Sequence, residues 1–287
     1  MTPFYIDRSE LDLLKLTGAT RLDLIHRMST QDLRGIQHGE GRATVLTTDI
    51  GRIIDRLILH VDGEAAFAIT SAGNGDGIAR YLLRFVFFTD DFQIAPAEAA
   101  IFGVYGDGAG NMLGTSDLPL HHWREVADGI KVQRTDAVGG EGFFVMGDKP
   151  AVQSHLESLG IGEGSAETFN YLRVQSGVPL FRHELTSDYI PLETGLWDDI
   201  SFSKGCYIGQ EIIARMESRG KLAKKLVQFS ADSPLTAPTD ITSNGKSVGT
   251  LTSAASLNGN TVALGYVKSR ALESELSVDG VALTLIT

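Results

Sequence analysis

Between Ser203 and Leu226 the chain reads SKGCYIGQEIIARMESRGKLAKKL, and its single cysteine, Cys206, lies between Gly205 and Gly209. Glycines on both sides leave the backbone free to bend and let a ligand come close. The run from Gln210 to Met216 has helical composition. A thiol just before a helix and beside Lys204 would have its thiolate stabilised by the helix dipole and the neighbouring charge. The competing reading, a small packed hydrophobe, stays open. Lys204, Arg215, Arg219, Lys221, Lys224 and Lys225 face only Glu211 and Glu217 in this stretch. Such a basic island suits a small anionic ligand, with a solvated helix face as the alternative. One cysteine permits neither an internal disulfide nor a four-thiolate metal or iron–sulfur site. The histidines are scattered without metal-ligand spacing, and His121-His122 reads as part of a loop. A cysteine-nucleophile hydrolase would need a histidine partner, for which the sequence nominates only His183. The GDGAG run at 106–110 lacks the order and ending of a phosphate loop and reads as a turn.

The elements that must position this segment are written in the apolar spacing. Residues 9–37 predict helices, with Leu11, Leu14 and Leu16 in a first group and Leu22, Leu24, Ile25 and Met28 in a second capped by Thr20. Residues 42–48, 52–61 and 65–70 predict strands, and 78–85 a helix. Two later segments echo one another: Ile101 to Asp107 and Phe143 to Asp148 each read as a strand, a Gly-Asp turn and a helix start. A helix over 166–176 stops near Gly177 and Pro179. Beyond residue 221 short strands alternate with the hairpin turns Asn244-Gly245 and Asp279-Gly280, which predicts a small β-barrel or sandwich.

The octapeptide KGCYIGQE at 204–211 resembles the signature of the YgfZ-type folate-binding proteins, relatives of the glycine-cleavage T-protein. Further stretches are similar to the same family: Leu16 to Ala19, Gly51 to Ile53, Gly142 to Phe144, Arg173 to Pro179, Tyr189 to Glu193 and Ile200 to Lys204. The resemblance implies an α+β fold of two folate-binding subdomains plus a small C-terminal β-barrel around a central ligand channel. It places the folate-binding region, two interleaved subdomains, at 1–220 and the barrel at 221–287. It implies tetrahydrofolate or a one-carbon derivative as cofactor, and transient partners among iron–sulfur enzymes or their assembly factors. Cys206 and Lys204 carry over as the reactive pair, and Gln175, Phe181, Tyr189, Tyr207, Arg215 and Asp76 as the folate-binding set. The expected cleft is bordered by Gln175, Phe181, Tyr189 and Lys204, with the glutamyl tail facing the basic island. Gln175 stands where the T-protein relatives place a pterin-holding glutamate; an amide offers one acceptor and one donor where a carboxylate accepts twice. Weak folate binding is therefore the expectation. A folate-dependent aminomethyl- or methyltransferase is the alternative, as is a structural domain without a ligand.

At 287 residues and 43% hydrophobic the chain is long enough for a substantial core. Its formal net charge of −11 opposes a phosphate backbone, so nucleic acid is not an expected partner. No basic, apolar leader or membrane-length apolar run is read, and the sequence reads as that of a cytoplasmic protein that does not engage membranes.

Overall fold

The computed structural model describes residues 1–286. In chain order it begins with β1 (Phe4–Asp7), β2 (Asp12–Thr17), α1 (Arg21–Met28), β3 (Gly41–Thr47), β4 (Ile53–Asp62), β5 (Ala65–Thr70), α2 (Gly75–Leu83) and β6 (Gln93–Pro96). There follow β7 (Ala100–Gly106), α3 (Ala109–Met112), β8 (Trp123–Ala127), β9 (Ile130–Arg134), β10 (Glu141–Gly147), α4 (Lys149–Ser158), β11 (Gly162–Glu163) and α5 (Ala166–Gln175). An irregular stretch leads to α6 (Gln210–Arg219) and then to β12 (Lys224–Ala231), β13 (Thr239–Ser243), β14 (Lys246–Leu257), β15 (Asn260–Lys268), β16 (Leu276–Val278) and β17 (Val281–Ile286).

The strands form a five-stranded sheet in the order β3-β4-β5-β2-β6 and a six-stranded sheet in the order β11-β1-β7-β10-β9-β8. A closed barrel follows, ordered β12-β15-β14-β13-β16-β17. Alternation of side chains along each strand sets the layering. In the first sheet Leu14, Leu16, Leu57 and Leu59 pack under Leu24, Ile25 and Met28 of α1 and Ile78 and Leu82 of α2. Their neighbours Leu13, Ile58 and Ile69 face the other way, onto Ile101, Phe144 and Met146 of the second sheet. The second sheet in turn sends Phe102, Val104, Phe143 and Val145 outward against α3 and α4. The result is two sheets packed face to face with helices on both outer sides.

Strands β2 and β4 bury apolar residues on both faces, which explains one departure from the sequence reading. Leu11, Leu14 and Leu16 mimic a helical spacing, yet residues 12–17 are a strand whose leucines face two different cores. The helix over the second group exists, but Thr20 caps nothing with its side chain; its hydroxyl donates to the Asp91 carbonyl. The two echoing strand–turn–helix segments are real and lie side by side as the antiparallel pair β7 and β10. In the barrel both expected hairpin turns carry positive φ at each central residue, 49° and 72° at Asn244-Gly245 and 47° and 84° at Asp279-Gly280. A third turn of the same kind, Asn258-Gly259, escaped the reading.

Candidate functional site

Where the inner faces of the two sheets splay apart, a cavity of about 390 Å³ opens. Ile58, Ile69 and Phe144 give it an apolar wall, Tyr105 and Phe169 an aromatic one, and the loop from Val178 to Leu185 closes it. Tyr105 owes its place to Gly103 on the same strand, where an added Cβ would lie 2.4 Å from the ring. Arg8 donates to the Tyr105 hydroxyl at 3.2 Å and to Glu10 at 2.6 Å, and its guanidinium lies 4.7 Å from the Phe169 ring centre.

The charged floor of the cavity is built around Arg56 on β4. Its Nη2 donates to Asp136 at 3.1 Å, its Nη1 makes a second bond to the same carboxylate, and its Nε donates to Asp199 at 2.5 Å. Burial pushes the Asp136 carboxyl up, but the Arg56 guanidinium outweighs it and holds the group below the usual carboxylate range. Burial would equally weaken the charge on Arg56, and the two aspartates override it, so the guanidinium is firmly protonated. A carboxylate has about four lone-pair sites, and Arg56 takes two of those on Asp136, leaving acceptor capacity for a ligand. The adjacent Asp55 faces the other way. It accepts from the Ser71 amide at 3.1 Å and hydroxyl at 2.5 Å and from Asn74 at 3.0 Å, so it fixes the loop that brings Thr70 and Ser71 to the cavity edge.

Arg173 on α5 lines the cavity and is held from behind. It donates to Glu184 at 3.3 Å, to the Val178 carbonyl at 2.9 Å and to Ser253 at 3.0 Å. Glu184, wholly buried, also accepts from Thr252 at 2.5 Å and Ser253 at 2.7 Å on β14. The barrel thus contributes no wall residue but locks the helix and loop that do.

The KGCYIGQE segment forms a separate structure. Lys204 is 6% exposed and its ammonium donates to the carbonyls of His26 at 2.5 Å, Ser29 at 2.8 Å and Gln31 at 2.9 Å. It also lies 5.1 Å from the Tyr207 ring centre. Burial pushes its ammonium down to about 8. Tyr207 is packed with Ile190, Ile200 and Ile213. The Ile208 carbonyl accepts from Thr47 at 2.6 Å, and Gly209 turns the chain with φ of 84° into α6. Between these anchors Cys206 stands exposed.

Of the eight residues nominated from sequence, Phe181 alone lines the cavity. The expected cleft shared by Gln175, Tyr189 and Lys204 does not hold in this geometry. Gln175 ends α5 with its side chain outward and its carbonyl bound to Gln228 at 2.7 Å. Tyr189 is stacked on Tyr266 at 3.3 Å between ring centres, with Lys224 4.3 Å from its own ring centre. Lys204 donates to three carbonyls, and neither it nor Cys206 lines the central cavity. Asp76 and Arg215 are exposed on α2 and α6. The residues that sequence reasoning missed, Arg56 and Asp136 above all, had one available signal. Asp55-Arg56 interrupts an otherwise apolar strand, and charges in such a place are rarely buried without partners.

Comparison with known proteins finds similar chains over most of this length. Residues 224–287 match the CAF17 C-terminal beta-barrel domain. A tRNA-modifying protein YgfZ of Yersinia enterocolitica is 25% identical over 94% of this chain and 84% of its own length. Over almost its whole length the chain is similar to YgfZ-type proteins and to aminomethyltransferases. A putative chloroplastic transferase of Arabidopsis thaliana is 28% identical over 93% of this chain, and the chain spans 65% of that protein's length. The fold of the chain is that of the glycine cleavage system aminomethyltransferase T of Bartonella henselae. The TM-score is 0.83 at 20% identity, over 99% of this chain and 85% of the other. Among the described residues no helix is long and apolar enough to cross a membrane.

Proposed function

We propose that the chain binds a reduced folate, tetrahydrofolate or a one-carbon derivative, in the cavity between the sheets, and supports iron–sulfur proteins through Cys206. The observation that carries the folate reading is the cavity itself. Its volume, about 390 Å³, lies in the range of small-molecule sites. Its aromatic walls suit a flat bicyclic ring, and Asp136 offers acceptors to an aminopyrimidine edge. Arg8 and Arg173 in the wall and Arg182 at the rim suit the carboxylates of a glutamyl tail, so the tail need not reach the basic island. A bound reduced folate would supply one-carbon chemistry, while the chain's own part is to orient the ring and exclude water from it.

Cys206 would serve a different task. It is held out to solvent on a pinned loop, where a partner's cluster or thiol could reach it. One thiolate can exchange one ligand or take an oxidative hit; a cluster would need its remaining ligands from the partner. Calorimetric titration with tetrahydrofolate tests the first half: binding in wild type, loss in Phe169→Ala and Asp136→Asn, and retention in Cys206→Ser. No heat at millimolar ligand would end the folate reading. Complementation of iron–sulfur enzyme activity in cells tests the second half, and full function in Cys206→Ser would end that one.

A one-carbon transferase is the second reading, favoured by the carboxylate of Asp136 in the cavity wall. Turnover of a one-carbon folate by wild type and its absence in Asp136→Asn would establish it.

A further inference from the structure

The cations after Cys206 gather at a second cleft, of about 590 Å³, between the end of α6 and the barrel. Lys221, Lys225, Lys268 and Arg270 line it together with Gly220 and Ser269, and no acidic residue does. Arg215 and Arg219, one helical turn apart and both exposed, extend the band along α6. None of these six forms an ion pair among the described residues. The barrel even sets Lys224 directly opposite Lys268 across β12 and β15, and like charges so placed destabilise a sheet. The cleft shares no lining residue with the central cavity, so it is not that cavity's mouth.

We infer that this band binds the phosphodiester backbone of a single-stranded nucleic acid. The net charge argues otherwise only as a sum. Residues 211–287 carry 8 Lys and Arg against 7 Asp and Glu, whereas residues 1–210 carry 17 against 29. At physiological salt the Debye length is about 8 Å, so a strand in the cleft senses the local cations more than the distant acids. Four cations from the end of α6 and from two barrel strands and their following turn converge on one cleft, a spacing that successive phosphates of a flexible strand can follow. The lining has no aromatic residue, so bases are not stacked there and sequence is not read.

The test is fluorescence anisotropy with a labelled 20-nucleotide RNA and the DNA of the same sequence, across a potassium chloride series. Six neutralised phosphates give a slope of log affinity against log salt of about −4. The Lys221→Gln/Lys225→Gln double variant should reduce that slope by about 1.4 and weaken binding roughly 60-fold at 50 mM salt. Circular dichroism checks that its fold is intact, and Arg80→Gln/Arg84→Gln, on α2 and just after it, should change neither quantity. Equal binding of RNA and DNA supports pure backbone contact, and preference for RNA adds a 2′-hydroxyl contact. The inference fails if the slope is the same in the double variant and wild type. It also fails if the strand does not bind while phosphatidylserine vesicles do, or if tetra-γ-glutamate displaces the strand at equal charge.

Discussion

Lys204 and Cys206 are two residues apart, and the fold gives them opposite fates. The ammonium is a fastener: its three protons go to three carbonyls at the end of α1, which hold the exposed thiol's loop to the first sheet. Lys204→Met strands those carbonyls, and we expect a loss of about 2–4 kcal/mol in urea unfolding. Cys206→Ser should change the same measurement by no more than about 0.5 kcal/mol, since the thiol is on the surface. Arg56 makes a sharper case. Arg56→Ala leaves Asp136 and Asp199 buried without their partner, which costs about 3–5 kcal/mol, and folate titration of the variant should show binding lost as well. The signature octapeptide was legible because it is contiguous. The Arg56 clamp was not, because its partners lie 80 and 143 positions along the chain and only the fold brings them together.

At the scale of elements, local rules told most. The hairpins of the barrel were readable from Asn-Gly and Asp-Gly, whose backbone demands are met within two residues. Strand β2 was misread because the signal that separates strand from helix fails when both faces are buried. The joint between the first sheet and α6 shows what a single backbone position can control. Gly209 has φ of 84°, and a Cβ there would lie 2.6 Å from the Thr48 carbonyl and 2.7 Å from the Thr47 hydroxyl. Gly209→Ala should therefore destabilise by at least about 2 kcal/mol, combining an unfavourable backbone with a clash. Hydrogen exchange should show the loss first in the Cys206 loop and the first turn of α6, while β14 and β15 of the barrel stay protected.

For the whole molecule, two deeply buried imidazoles contribute to the response to acid. His60 is packed between Phe67 and Trp123, and His121 lies beside the Arg56 clamp; burial pushes both down to about 4. Between pH 6.5 and 4 the unfolded chain takes up protons at these sites and the folded chain does not. Their contribution is thus complete above pH 6.5 and is lost as the pH falls toward 4, with a slope of up to about 1.4 kcal/mol per pH unit for each. Denaturation midpoints measured across that range should fall less steeply in His60→Phe than in wild type.

Strand β1 lies between β7 and β11 in the second sheet, although β2 to β6 of the first sheet intervene in the chain. During synthesis, Phe4–Asp7 leaves the ribosome long before Ala100–Gly106 can pair with it. At about 5–20 residues per second the wait is roughly 5–20 s. Through that interval the first sheet can close around its own leucines, while a four-residue strand with two bare edges, Phe4 and Tyr5 among its side chains, remains unclaimed. The two sheets cannot be inherited, swapped or expressed as separate cassettes, because a cut between β6 and β7 takes a central strand away from the sheet that needs it.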